Sequence, residues 1–179
     1  MSTAEVPPDG ELGPPGDPES VARTICLRQL DQRARTRAEL AATLARRGVP
    51  DDAARSVLDR LTEVGLIDDG ALAESYALAV QRGRGLAARA VAMKLRQRGI
   101  DEPIVQSAVG QIDADSEAAA ARSLVARRLP SLRGLDPQAQ ARRLVALLAR
   151  RGYPPGLSHQ IVRDSLSQAE IGDPAELDD

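Results

Sequence analysis

The chain has 179 residues, enough for one domain or a short array of smaller units, and its only aromatic residues are Tyr76 and Tyr153. A core must therefore be built from Leu, Ile, Val and Ala, which favours slim helices in close contact and excludes a sandwich or barrel of aromatic and β-branched strands. The formal charge of −2 conceals a segregation: residues 1–19 and 167–179 hold ten acids and no basic side chain, so the other 16 acids face all 24 basic residues over 20–166, a net +8.

Residues 1–17 are rich in Pro and Gly and poor in large apolar side chains, which predicts a disordered acidic leader. A first unit follows over 18–67. Asp17-Pro18 opens a helix over about 18–34 with an N-cap and a proline at the first helical position, and Cys26 in its apolar stretch reads as a small buried residue. Thr36-Arg37-Ala38-Glu39 is a capping box for the next helix. Leu40 and Leu44 lead to Arg47-Gly48-Val49, where the glycine can supply the left-handed residue that stops a helix. Ala53, Val57, Leu58 and Leu61 then form the apolar stripe of a third helix.

The pattern recurs over 68–113. Asp68-Asp69 reads as an N-cap with a second acid in the first turn, before a helix over about 69–82 with Leu72, Tyr76 and Val80 on one side. Gly83-Arg84-Gly85 is a joint between helices. Val91 and Leu95 precede Arg98-Gly99-Ile100, and Ile104, Ala108, Val109 and Ile112 follow at the offsets seen in the first unit.

A third unit over 114–167 begins with an Ala- and Leu-rich helix at about 115–129. Asp136-Pro137 caps the next, Leu144 and Leu148 lead to Arg151-Gly152-Tyr153, and Leu157, Ile161 and Val162 keep the register until Ser165 and Leu166. Residues 168–179 read as a disordered acidic tail. The three Arg-Gly stops lie 51 and 53 residues apart. The predicted fold is all-α: three tandem three-helix repeats, about nine helices, elongated and curved.

No catalytic constellation can be assembled. His159 is the only histidine and Cys26 the only cysteine, so a zinc or haem site lacks ligands, and no glycine-rich phosphate loop of the Walker or Rossmann kind occurs. The expectation is a binding protein without catalytic residues, metal or cofactor. A lone cysteine and no signal segment point to the cytoplasm, and no run approaches the roughly 18 apolar residues of a membrane span.

Every cation but Lys94 is an arginine, whose planar fork can engage phosphate or carboxylate with two hydrogen bonds. Residues 82–98 hold Arg82, Arg84, Arg89, Lys94, Arg96 and Arg98 with no acid, and residues 122–151 hold eight arginines against Asp136 alone. Pairs such as Arg127/Arg128 and Arg150/Arg151 fall near helix C-termini, where the dipole alone would account for them. Arg84, Arg89, Arg142 and Arg143 are predicted near helix starts, where it would not. The candidate partner-binding residues are therefore Arg82, Arg84, Arg89, Lys94, Arg96 and Arg98, with Arg142 and Arg143 second. Scarce aromatics argue against stacking on bare single strands, and the absence of Asn argues against reading bases in duplex DNA.

Thr36-Arg37-Ala38-Glu39-Leu40, the stop from Leu44 to Gly48, Glu63-Val64-Gly65-Leu66-Ile67-Asp68-Asp69, the Ala73 to Tyr76 helix and the run from Gly85 to Leu95 and Arg98-Gly99-Ile100 resemble the RecX family of RecA regulators. The resemblance spans about residues 20–166 and is most specific at Gly65–Asp69; Leu72 departs from it, standing where the family usually has Phe. It implies a curved array of three-helix repeats that lies in the groove of the RecA–DNA filament and modulates, usually inhibits, ATP hydrolysis and strand exchange in DNA repair, recombination and the SOS response; a monomer is expected. A nucleic-acid-binding repeat protein acting without RecA is the alternative, and a helical adaptor for an unrelated protein a third reading.

Overall fold

The computed structural model of the chain describes residues 16–171, so most of the acidic leader and of the tail lies outside the described residues. Within them are nine α-helices, one short 3-10 helix and no strand. The chain divides into two compact units, with the boundary in sequence between Asp68 and Asp69.

The first unit contains α1 (Pro18–Gln32), α2 (Arg37–Arg46) and α3 (Asp51–Glu63), each packed on the other two. Its starts follow from local chemistry. Asp17 accepts hydrogen bonds from the backbone N–H groups of Glu19 and Ser20, and Thr36 and Glu39 exchange the two bonds of a capping box at 3.0 and 3.2 Å. Ala22, Cys26, Leu40, Leu44, Val57, Leu58 and Ile67 are buried between the three helices, and burial pushes the Cys26 thiol above its ordinary pKa. Thr36 is itself fully buried. Thr36→Ala is expected to lower stability by about 1–2 kcal/mol, the upper part of the usual N-cap range, because it strips a donor's partner where water cannot replace it; urea unfolding of the full chain measures this.

The second unit contains α4 (Asp69–Arg84), α5 (Ala88–Gln97), α6 (Glu102–Gly110), α7 (Ala114–Arg128), the 3-10 helix (Leu129–Leu132), α8 (Pro137–Arg150) and α9 (Pro155–Ile171). Helices α4, α5 and α6 pack together, as do α7, α8 and α9, and α4 touches α7. Ala73, Ala77 and Val80 are the most deeply buried stripe of α4, with Leu72 and Tyr76 partly buried beside it. Ala118 and Ala121 let α7 approach its neighbours closely, and Asp113 and Asp136 cap α7 and α8. Helix α9 continues to Ile171, past the expected end at residue 167, because no breaker intervenes before Gly172.

One stop recurs after α2, α5 and α8, and its pair of bonds occurs once more after α3, where Gly65 is followed by the exposed Leu66. After α2, Gly48 adopts φ +72°, its N–H donates to the Ala45 carbonyl at 3.0 Å, and the Val49 N–H donates to the Leu44 carbonyl at 3.1 Å. Gly99 with Ile100 and Gly152 with Tyr153 repeat this pair of bonds on Arg96 and Leu95 and on Ala149 and Leu148. The bonds close the orphan carbonyls of the last turn, and after Gly48, Gly99 and Gly152 the next residue turns inward. Val49, Ile100 and Tyr153 are accordingly all at least 93% buried. That is why an apolar or aromatic residue follows the glycine at these three stops.

Candidate interaction surface

The second and third helix triplets are joined through the α4–α5 linker. Its last residue, Ala87, is fully buried in the core of α7, α8 and α9 and donates its N–H to the Arg151 carbonyl at 3.0 Å. The Tyr153 hydroxyl donates to the Gly85 carbonyl at 3.0 Å in a buried bond. Ala87 has no side chain able to cap α5, and Glu117 of α7 supplies the missing acceptor, taking the Ala88 N–H at 2.8 Å. At Gly152 a side chain would stand 2.7 Å from the Ala90 Cβ, so α5 rests directly on the α8 stop.

This junction opens into a groove of about 610 Å³ lined by Gly83, Leu86, Lys94, Leu124, Arg127, Arg128, Leu147 and Arg151. Three leucines form its apolar floor and four cations its rim. No acid lines it. Lys94, Arg127 and Arg128 are exposed and Arg151 half-buried, and none of the four is ion-paired with an acid among the described residues. The groove of the first unit is different, lined by Arg23 and Arg60 together with Glu19, Asp59 and Glu63.

The predicted arginines do not form one patch. On α5, Arg89, Met93 and Arg96 recur at helical spacing and are all exposed, whereas Lys94 lies about 140° round the helix from Arg89 and enters the groove instead. Arg96 is engaged: its Nε and Nη2 donate to both Glu102 oxygens at 2.7 and 2.6 Å, an exposed pair. Hydrogen bonds from Arg96 and then Gln106 hold the Glu102 carboxyl down at about 2. Arg96→Gln is expected to return that carboxyl toward 4.5, which an NMR titration of Glu102 reads directly. Arg98 is half-buried in the last turn before Gly99.

The backbones of Arg82 and Arg84 belong to the last turn of α4; their side chains lie outside the described residues. The expectation that Arg84 sits near a helix start is corrected: Gly83 is accommodated in the final turn and the stop falls at Gly85, φ +56°, so Arg84 ends α4 where the dipole favours a cation. Arg142 and Arg143 are likewise misplaced by that expectation, being in the second turn of α8, beyond the reach of its N-terminal dipole. Only Arg89, in the first turn of α5, stands against the dipole. Arg142 and Arg143 are exposed, and Arg143 is in step with Leu147 and Arg151 at intervals of four, one strip of α8 that leads into the groove.

Models of the first, second and third three-helix domains of RecX match residues 22–61, 68–109 and 115–162. The chain belongs to the RecX family. It is 48% identical over 164 residues to the regulatory protein RecX of Thermobifida fusca (strain YX), covering 88% of this chain and 89% of that protein. It is 46% identical over 155 residues to its counterpart in Streptomyces coelicolor, covering 87% and 82%. The crystal structure of RecX from Lactobacillus salivarius shares the fold with a TM-score of 0.75 at 18% identity, over 82% of this chain and 96% of that one. A second, titled regulatory protein RecX, has a TM-score of 0.73 at 22% identity, over 83% and 72%. The fold is thus all-α, with the three RecX three-helix domains in tandem.

In those terms the groove lies where the second and third RecX domains meet. Arg127, Arg128 and Arg151 were explained in the sequence by helix C-termini alone, and the structure adds that they converge with Lys94. The available signal was the shortage of acids over 122–151. Among the described residues no cluster of His, Cys, Asp and Glu could hold a metal ion, and no helix is long and apolar enough to cross a membrane.

Proposed function

We propose that this protein binds the RecA–DNA nucleoprotein filament in the cytoplasm and inhibits RecA's ATPase and strand-exchange activities during DNA repair and recombination, acting as a monomer without cofactor or catalytic residues. The observation that carries this reading is the match to all three RecX domains along one chain. The acid-free groove and the exposed Arg89, Arg142 and Arg143 support it, because uncompensated guanidinium groups suit docking on a negative polymer. Arg82, Arg84, Lys94, Arg96 and Arg98 complete the proposed contact set; Arg96 exchanges Glu102 for the partner on binding.

The test is the ATPase of the cognate RecA on single-stranded DNA, with co-sedimentation of the added protein. Micromolar protein is expected to slow ATP hydrolysis and to pellet with filaments, and Arg89→Glu with Arg142→Glu and Arg143→Glu to weaken both while leaving helix content unchanged. No effect of wild-type protein on either measurement overturns the proposal. Equal binding to bare DNA and coated filament, lost steeply with salt, would favour a nucleic-acid-binding protein acting without RecA.

A further inference from the structure

The groove carries more than charge. Leu86, Leu124 and Leu147 present an apolar floor, and Lys94, Arg127, Arg128 and Arg151 surround it without an acid. Three separate elements contribute: α5 gives Lys94, the end of α7 gives Arg127 and Arg128, and the stop of α8 gives Arg151. The bonds from Ala87 to Arg151 and from Tyr153 to Gly85 tie the start of α5 to the α8 stop, and that from Ala88 to Glu117 ties it to α7, so the backbones that carry the rim are fixed against one another.

Two kinds of polyanion could meet such a rim. A phosphodiester backbone would satisfy the guanidinium forks but would bring its bases onto leucines, with no aromatic ring in the lining to stack on. A peptide with carboxylates on either side of one apolar side chain would satisfy both components at once, the apolar group burying the leucine floor and the acids reaching the rim. We propose that the groove is a docking site for a short acidic peptide segment with an apolar anchor, displayed by a partner protein. The proposal rests on the reading above only in taking a protein to be part of the partner.

The experiment uses the full chain and a fluorescein-labelled peptide of Asp and Glu residues around a central Leu. Its two controls are the same peptide with Ala for Leu and an oligothymidylate of equal charge. The Leu peptide is expected to bind, and Arg127→Glu with Arg128→Glu to weaken it by about tenfold or more, as does Lys94→Glu alone to a smaller extent. Replacing the peptide's Leu by Ala is expected to cost about tenfold, and part of the Leu peptide's affinity to survive high salt.

Failure of the peptide to bind, or binding indifferent to all three substitutions, overturns the proposal. So does displacement of the peptide by the oligothymidylate at lower concentration, which assigns the groove to phosphodiester. The RecA ATPase assay separates the two readings. Groove-dependent peptide binding by a protein that leaves RecA unaffected sinks the RecA reading alone, and RecA inhibition without peptide binding sinks the docking proposal alone. Because the substituted side chains are exposed, unchanged helix content and unfolding midpoint check that every variant is folded.

Discussion

Gly152→Ala is expected to destabilise the second unit by about 3 kcal/mol or more, whereas Gly48→Ala should cost the first unit only about 1–2 kcal/mol. Both glycines end a helix in the left-handed region, at φ +86° and +72°. An added Cβ at Gly48 meets nothing within 4 Å, so only the backbone strain of a left-handed alanine applies. At Gly152 the same Cβ would stand 2.7 Å from the Ala90 Cβ and 3.1 Å from the Ala90 backbone nitrogen. That nitrogen belongs to the first turn of α5, which is held in place by the Ala87 and Ala88 bonds, and backbone in a tied helix yields less than the tip of a flexible side chain. Overpacking of this kind adds about 1–3 kcal/mol to the strain. Urea unfolding of the two variants measures the difference. Equal losses would mean that α5 does not rest on the α8 stop.

The sequence showed the individual stops and starts because each is local. Gly48, Gly99 and Gly152, the Thr36–Glu39 box and the caps at Asp17 and Asp136 involve residues within a turn of one another. The buried pairs Leu40 and Leu44, Val91 and Leu95, and Leu144 and Leu148 are equally legible from their spacing. The junction was not legible, for the complementary reason. The cap of α5 comes from Glu117, 29 residues away, and the partner of the Tyr153 hydroxyl is 68 residues away. Nothing in a helical period announces such pairings. The 3-10 helix at Leu129–Leu132, with Pro130 in its first turn, is only four residues long and too short to leave a helical period in the sequence.

The candidate surface shows the same division. Arg89 is correctly placed against the dipole by sequence alone, since the start of α5 is only a residue away. The four groove cations could not be grouped, because Lys94, Arg127 with Arg128, and Arg151 come from three helix ends separated by 23 residues or more. Grouping by sequence instead joined Lys94 to Arg89 and Arg96, which face another way. A density of like charge in a sequence window therefore indicates how basic a region is; which cations act together depends on the tertiary contacts that bring helix ends together.

Tyr153 gives the second large expected effect, a loss of about 2–3 kcal/mol of stability as the pH rises from 10 to 12. Burial, and secondly the charge of Glu117, push its phenol up to about 12, against the opposing influence of Arg151. Unfolded, the phenol ionises at about 10. Above that pH the unfolded chain has lost a proton that the folded chain keeps, so the unfolded state binds fewer protons and stability falls with pH until the folded phenol also ionises. Below pH 10 both states are protonated and this contribution is complete. Tyr153→Phe removes the titrating group together with the bond to the buried Gly85 carbonyl, and at neutral pH should cost about 1–2 kcal/mol. Urea unfolding of both proteins from pH 8 to 12 is then expected to show the wild-type advantage shrinking and finally reversing, since only the wild type has a buried phenol to ionise. Parallel decline of the two proteins would place the alkaline sensitivity elsewhere, and equal stability of the two at neutral pH would leave the Tyr153–Gly85 bond without a role in holding α5 to α8.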